Sequence, residues 1–141
     1  MQPRDVVEAW LGHFNRHDVG RLTELYSDDV HFVASGGREV VDGKMVLGTD
    51  LALSFEHWEK WTLTPNRWTC DEDRVVVEVH NYAICGETGK VREAEDCIVF
   101  VVRNARIVEQ DFYFDTAATR DTNTRDPSVR AVMSEDMLAP A

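Results

Sequence analysis

The second half of the chain most constrains the fold, because its residue pattern changes from helical spacing to strand alternation at Trp61. Four runs rich in β-branched and aromatic residues follow, at 62–70, 74–85, 91–102 and 107–114. Short turn sequences separate these runs, and strands joined by short turns pair in antiparallel fashion. The sequence therefore predicts an antiparallel meander over this half of the chain.

The residues before the meander carry apolar side chains at helical spacing. One helix is predicted from Pro3 to about Asn15, with the proline in its first turn. Asp18 can cap a second, short helix, and Thr49 or Asp50 can cap a third. Helices first and an antiparallel sheet last indicate the α+β class.

Length and charge limit what this chain can bind. Its 141 residues fit one domain with a sizeable core. A formal net charge of −11, from 26 acidic and 15 basic residues, argues against nucleic acid, which clustered Lys and Arg recognise. The sequence contains neither a basic amphipathic stripe nor a run of about 18 apolar residues, so no membrane partner is expected. A small organic molecule and a second copy of the chain remain as expected partners.

The N-terminus and the cysteines indicate a compartment. The first residues lack the apolar run of a signal peptide, and three cysteines without CxxC spacing are typical of free thiols in a reducing environment. We therefore expect a cytoplasmic protein. Residues 1–115 are expected to form the single domain, and residues 116–141 a tail in which a short helix could follow Pro127.

The turn between the second and third runs predicts a register. The segment GETGK at residues 86–90 suits a three-residue loop closed by Gly89 in the left-handed region. That loop places His80 opposite Asp96 and Tyr82 opposite Ala94, and directly opposed residues share a sheet face.

In that register one sheet face is mixed and the other is nearly pure valine. The mixed face contains Glu78, His80, Tyr82, Asp96, Ile98 and Phe100. The valine face contains Val75, Val77, Val79, Cys97, Val99 and Val101. Polar groups among aromatic side chains are typical of a ligand pocket, so we expect the mixed face to line one and the valine face to meet a partner subunit.

Three segments carry a resemblance to a known fold family. They are WLGHFNRHD at residues 10–18, LYSDDVHF at 25–32, and RI at 106–107 leading to DFYFD at 111–115. In their order and spacing, over roughly residues 6–115, the chain resembles the nuclear-transport-factor-2-like superfamily. Its branches include SnoaL-like polyketide cyclases, ketosteroid isomerases, limonene epoxide hydrolases and scytalone dehydratases.

The resemblance implies a curved antiparallel sheet that forms a cone, a cystatin-like α+β barrel, closed by three N-terminal helices around a ligand. It also implies a homodimer through the outer sheet face. The catalytic base of the ketosteroid isomerases falls at Ala34, and their oxyanion-hole tyrosine falls at Trp10. Their oxyanion-hole acid falls at Asp96 or Ile98. Isomerase chemistry by that arrangement is therefore not expected.

The last strand leaves two alternatives open. The aspartate of SnoaL-like cyclases falls at Phe112, with Asp111 one residue early. A two-residue turn at residues 104–105 would place Asp111 opposite Ile98 and inside the pocket. A three-residue loop would turn Phe112 inward and Asp111 outward. The apolar character of the Phe112 face favours the second alternative.

His80 beside Asp96 is the best chemical pair in the sequence. A carboxylate next to an imidazole suits general acid–base work near neutral pH, although a binding contact or a solvated cross-strand pair would look the same. Tyr82 could donate to a substrate oxygen or form an aromatic wall. Glu78 could shuttle protons if desolvated, or lie at the wet rim of the sheet. His80, Asp96, Tyr82 and Asp111 are the predicted catalytic residues.

The predicted substrate-binding residues would form the wall of the pocket, and most of them would serve equally well as plain core: Trp10, Phe14, Phe32, Phe55, Trp58, Glu78, Ile98 and Phe112. His13 and His17 have i, i+4 spacing, but solvated residues near a helix end are the expected reading, and no metal site is predicted. No glycine-rich phosphate loop occurs, so no cofactor is predicted.

Together these features predict a cofactor-independent acid–base enzyme. We expect a cyclase, isomerase or dehydratase that acts on a small hydrophobic metabolite with a carbonyl or hydroxyl group, as in secondary metabolism. Epoxide opening is a further alternative, if Asp111 and Asp96 both face inward and activate a water. The alternative from another class is a non-catalytic module of the same fold that binds a small molecule or dimerises.

Overall fold

In the computed structural model, residues 1–34 and 39–115 are described. Their helices are α1 (Pro3–Asn15), α2 (Val19–Glu24) and α3 (Lys44–His57). Their strands are β1 (Tyr26–Ala34), β2 (Glu39–Asp42), β3 (Trp58–Asp71), β4 (Arg74–Cys85), β5 (Val91–Arg103) and β6 (Arg106–Tyr113). The predicted tail at 116–141, with its short helix after Pro127, lies outside the described residues. No helix in the described ranges is long and apolar enough to cross a membrane.

The first two helices begin where the sequence predicts. Pro3 occupies the first turn of α1, and the backbone N–H of Gln2 donates to Asp5 Oδ2 at 2.9 Å. In α2 the Asp18 carboxylate accepts from the backbone N–H of Arg21 at 3.1 Å, which confirms the predicted cap. The buried face of α1 is the predicted one, formed by Val6, Val7, Trp10, Leu11 and Phe14.

Helix α3 begins at Lys44, before Thr49 and Asp50. The prediction that one of these two residues caps the helix is therefore wrong. The residue before the helix is Gly43, with φ of 92°, a conformation that favours glycine. Gly48, inside the helix, permits close packing on α2, because a Cβ there would lie 3.1 Å from Thr23 Oγ1. Asp50 is consequently a mid-helix residue and not a cap.

The six strands form one curved sheet in the order β2-β1-β6-β5-β4-β3, and the predicted α+β class is confirmed. The pairs from β3 to β6 are antiparallel, as the meander predicts. Strands β1 and β6 pair in parallel, so the sheet is mixed where the sequence indicated an antiparallel one. The difference arises because the pattern shows alternation within each strand, but not which distant strand becomes its neighbour.

The main core lies between the inner sheet face and the helices. Val75, Val77 and Val79 are fully buried there, in one cluster with Trp10 and Phe14. The expectation that these valines form an outer face against a partner subunit is therefore wrong. Helix α1 packs on β3, β4 and β5 of its own chain and covers them.

Candidate active site

The β4–β5 turn contains one residue more than predicted. Gly89 has the expected positive φ, of 69°, but its N–H donates to the carbonyl of Cys85 at 2.8 Å. The N–H of Cys85 in turn donates to the carbonyl of Lys90 at 3.0 Å. The loop therefore spans the four residues 86–89, and every residue of β4 shifts by one position against β5. A shift of one residue sends each side chain to the opposite face.

His80 lies opposite Glu95 and not opposite Asp96, so the predicted pair is wrong. Its Nδ1 lies 2.5 Å from Glu95 Oε1, and its Nε2 lies 2.7 Å from Glu93 Oε2. The imidazole is on the outer sheet face, with 36% of the side chain exposed. Asp96 pairs with Val79 and is buried on the inner face.

The other polar residues predicted inside from β4 are outside as well. Tyr82 pairs with Glu93, and its ring lies 5.8 Å from Lys60 Nζ. Glu78 lies 3.5 Å from Arg67 Nε in an exposed ion pair. The same one-residue shift explains both corrections. On β5 the prediction is right, since Asp96 and Ile98 face inward.

Strand β6 combines the two alternatives left open by the sequence. Asn104 and Ala105 both have positive φ, of 51° and 58°, and form a two-residue turn. A bulge then skips Val108, because Val102 pairs with Ile107 while Val101 pairs with Glu109. The bulge restores the faces that a three-residue loop would have given.

As a result, Phe112 lies opposite Ile98 and faces inward, and Asp111 lies opposite Val99 and faces outward. The pKa of Tyr113, two residues along on the same outer face, is raised by its hydrogen bond to Asp111. Asp111 and Asp96 therefore lie on opposite faces of the sheet. The water-activating pair on which the epoxide alternative depended is not assembled.

A cavity lies between α3 and the inner sheet face. Its aromatic lining residues are Trp10, Phe14, Phe32, Trp58, Trp61, Phe112 and Phe114. Its polar lining residues are Glu39, Asp50, Ser54, Asn81, Arg92 and Gln110. A lining of apolar rings with a few polar groups among them fits a site for a small organic molecule.

The cavity contains five of the eight residues predicted to bind substrate: Trp10, Phe14, Phe32, Trp58 and Phe112. Phe55 instead packs between the Phe14 and His17 rings, with centroids 5.1 and 4.2 Å away. Ile98 is fully buried in the core, and Glu78 is on the outer face. The binding role of the five remains a prediction.

A chain of buried hydrogen bonds ends at the cavity. The indole N–H of Trp10 donates to the Tyr26 hydroxyl at 2.7 Å, and that hydroxyl donates to Gln110 Oε1 at 2.5 Å. Burial raises the pKa of Tyr26 well above its ordinary value, so the phenol stays protonated. Since Tyr26 engages the Gln110 oxygen, the amide nitrogen of Gln110 is the end that can donate to a ligand.

A second buried network is centred on Asp96. Its Oδ2 accepts from Asn81 Nδ2 at 2.7 Å and from Arg92 Nη1 at 3.3 Å, and its Oδ1 accepts from the backbone N–H of Asp115 at 3.2 Å. The Trp61 indole donates to Asn81 Oδ1 at 2.8 Å. Asp96 is thus occupied as the partner of a buried guanidinium, which leaves it poorly suited to the role of catalytic base.

Asp50 is the carboxyl that sequence reasoning missed. It shares one helical face of α3 with the cavity-lining residues Leu47, Leu51 and Ser54, at the i, i+3, i+4, i+7 positions of an inward stripe. Desolvation by burial raises the pKa of its carboxyl above 3.8. The helical stripe could have identified Asp50 in the sequence, had the residue not been interpreted as a cap.

Across residues 1–34 and 39–115, no group of three or more His, Cys, Asp or Glu side chains is arranged to hold a metal ion. Among the described residues, the carboxyls that line the cavity are Asp50 and Glu39.

The cavity lies in a fold shared with solved structures. A ketosteroid isomerase-like protein from Catenulispora acidiphila, crystallised with trimethylamine, is 15% identical, with 92% of this chain and 98% of that chain covered and a TM-score of 0.77. An LEH-like epoxide hydrolase from M. tuberculosis is 22% identical, with 87% and 90% covered and a TM-score of 0.75. A cystatin-fold protein from Novosphingobium aromaticivorans is 19% identical, with 81% and 99% covered and a TM-score of 0.72.

These identities are low, so the likeness establishes the fold alone. No curated protein sequence matches the chain. A family model described as "SnoaL-like domain" matches residues 7–110, which is most of the chain, and confirms the resemblance seen in the sequence. The chain belongs to the SnoaL-like domain family.

Proposed function

We propose that this protein is a cofactor-independent enzyme that moves protons on a small hydrophobic molecule with a carbonyl or hydroxyl group. One observation carries the proposal: the Asp50 carboxyl, whose pKa is raised, lines a cavity that is also lined by seven aromatic rings. A carboxylate in such surroundings is a stronger base than one in water, because its raised pKa lies closer to the pKa of the C–H group from which it takes the proton.

In the proposed reaction Asp50 removes a proton from the carbon next to a substrate carbonyl. The electrons of that C–H bond move to the carbonyl oxygen, which gains negative charge. The Gln110 amide nitrogen donates a hydrogen bond to this oxygen, and the chain from Trp10 through Tyr26 holds the amide in place. With a β,γ-unsaturated ketone, Asp50 then returns the proton to the γ-carbon, so that the carbonyl re-forms and the double bond moves into conjugation. With a β-hydroxy ketone, the proton goes to the departing β-hydroxyl, so that water leaves as the carbonyl re-forms and a double bond appears.

The aromatic wall supports this role in a second way. Trp10, Phe14, Phe32, Trp58 and Phe112 present apolar surface to the ligand, and a bound molecule would displace water from them. Hydrogen bonds to a developing oxyanion are stronger when water is excluded. The ionic side of the cavity, Arg92 with Asp96, is already neutralised within the protein.

Exchange of carbon-bound hydrogen tests the proposal without knowledge of the natural substrate. 2-Tetralone, a hydrophobic ketone with acidic α-hydrogens, is incubated in D₂O, and loss of its α-proton signal is followed by ¹H NMR. We expect the protein to accelerate exchange over buffer and Asp50→Asn to lower the catalysed rate by about 100-fold or more. Glu56→Gln is the matched control, because Glu56 is an exposed carboxyl on the same helix.

The fold of each variant is checked by circular dichroism, and binding of 2-tetralone by chemical-shift changes. The proposal is wrong if bound 2-tetralone exchanges no faster than in buffer. It is equally wrong if Asp50→Asn, still folded, exchanges it at the rate of the unaltered protein.

A non-catalytic binding module is the second candidate, and one observation favours it. Gln110, Asn81 and Arg92 already make hydrogen bonds within the protein, as the polar groups of a passive pocket do. Tight binding of 2-tetralone without exchange would support this candidate over the enzyme.

A further inference from the structure

We infer that the cavity selects a positively charged ligand, an organic molecule with a protonated amine, over neutral and anionic molecules of the same shape. The ligand occupies the cavity in which the proposed reaction takes place, and in that sense the inference rests on the proposed function. It adds the charge of the substrate, which that function leaves open.

The ionisable groups of the cavity carry a surplus of negative charge. Among the described lining residues, Glu39 and Asp50 are acids, and Arg92 is the one Lys or Arg. Asp96 contacts Arg92 directly, so three carboxylates accompany one guanidinium. Within the described residues, the surplus is two negative charges when all four groups are ionised.

Arg92 is poorly placed to attract an anion. Its side chain is 4% exposed, its Nη1 lies 3.3 Å from Asp96 Oδ2, and its Nη2 donates to the Asp115 carbonyl at 3.1 Å. An anionic ligand would have to compete with Asp96, whose side chain is completely buried. Leaving either charge of such a buried pair without its partner is strongly unfavourable.

The walls of the cavity suit a cation as well. Aromatic faces attract ammonium groups, and tryptophan does so best. Three of the lining rings belong to tryptophans, Trp10, Trp58 and Trp61. One cation already uses this surface, because the Arg92 guanidinium carbon lies 5.6 Å from the centre of the Phe114 ring.

Asp50 would be the direct partner of the ligand amine. Its carboxyl lines the cavity on the same face of α3 as Leu47, Leu51 and Ser54, so a cation bound in the cavity can pair with it directly. The field of the whole chain acts in the same direction, since its formal net charge is −11.

Three naphthalene probes of similar size and different charge test the inference. They are 1-naphthylmethylamine, protonated at pH 7, 1-naphthalenemethanol, which is neutral, and 1-naphthoate, which is anionic. Titration calorimetry at low salt is expected to give affinity in that order, with the ammonium at least about tenfold tighter than the alcohol. Equal affinities, tighter binding of the alcohol or the carboxylate, or no binding of any probe would overturn it.

Variants locate the preference. We expect Asp50→Asn to reduce the affinity ratio of ammonium to alcohol by about tenfold and Glu39→Gln to reduce it in the same direction, while Glu56→Gln leaves the ratio unchanged. The effect of Asp50→Asn is expressed as the ratio of the ammonium affinity to the alcohol affinity, because a loss of binding common to both probes cancels in that ratio. A ratio unchanged in both Asp50→Asn and Glu39→Gln would show that the lining carboxyls do not select the ligand.

The two proposals fail separately. A protein that exchanges 2-tetralone but binds the three probes without regard to charge refutes the charge preference alone. A protein that binds the probes in the expected order but does not exchange 2-tetralone refutes the proposed catalysis alone.

Discussion

The imidazole of His80 lies between two carboxylates on the outer sheet face, where Glu95 and Glu93 each contact one ring nitrogen. A carboxylate can only accept a hydrogen bond, so the two contacts favour the imidazolium form of the ring, in which both nitrogens donate. The pKa of His80 is accordingly raised above its ordinary value of 6.5, first by the hydrogen bond to Glu95 and then by that to Glu93. The residue chosen from the sequence as a catalytic base thus links β4 to two carboxylates of β5 on the outer face.

We predict a pH dependence from this arrangement. The pKa of His80 is higher in the folded chain than in the unfolded chain, so its stabilising effect is complete below pH 6.5 and is lost as the pH rises through the folded value. A ¹H–¹⁵N NMR titration is expected to give a pKa above 6.5, and the double variant Glu93→Gln, Glu95→Gln is expected to lower it. A pKa at or below 6.5 in the unaltered protein would contradict the geometry.

Tyr26 is the residue on which the buried chain to the cavity depends. Tyr26→Phe would leave the Trp10 indole N–H and the Gln110 oxygen without their shared partner in the core. Such a loss costs about 1–3 kcal/mol, so the free energy of unfolding measured in urea should fall by that amount. Tyr113→Phe is the control, because Tyr113 is 45% exposed and the loss of its hydroxyl should change stability little. Equal effects of the two substitutions would argue against a structural role for the chain.

At the scale of elements, two turns determined which residues reached the cavity. The loop at 86–89 differs from the predicted loop by one residue, yet both forms place Gly89 at a positive φ. Gly89 therefore indicated the position of the turn but not its length. Because the length sets the register, the β4 side chains were assigned to the wrong face. On β6 the bulge at Val108 is the deciding feature, and no residue type in the sequence marks it.

The β5–β6 turn permits a test of strain. Ala105 has φ of 58°, in the left-handed region that costs a residue with a Cβ about 1–2 kcal/mol. We predict that Ala105→Gly raises the free energy of unfolding by about 1 kcal/mol, measured by urea denaturation. Ala52→Gly, inside α3, is the matched control and should lower it by about 1 kcal/mol. Destabilisation by Ala105→Gly would mean that the Cβ makes contacts worth more than the backbone strain costs.

For the molecule as a whole, the sequence predicted the class, the strands of the meander and much of the aromatic wall, because these depend on periodicity within each element. Trp10, Phe14 and Phe112 were assigned to the interior for this reason, and they line the cavity. The polar centre depends instead on relations between elements: the register of β4 on β5 and the length of α3. For that reason Asp50, predicted as a possible helix cap, lies in the cavity, and His80, predicted inside the pocket, lies on the outer face.

The homodimer expected through the outer sheet face remains a prediction, and the structure sharpens its test. Val76 and Val99 lie directly opposite one another on that face, half-buried within the chain. A stable interface buries about 1,200–2,000 Å² in total, so a dimer through this face should cover both valines.

We predict that light scattering coupled to size exclusion gives a mass near twice the 16.1 kDa of the chain, and that the double variant Val76→Glu, Val99→Glu shifts it to the monomer. Val46→Glu, at an exposed position on α3, should leave the mass unchanged. A monomeric mass for the unaltered protein at every concentration would refute the dimer, and a dimer that survives the double substitution would place its interface elsewhere.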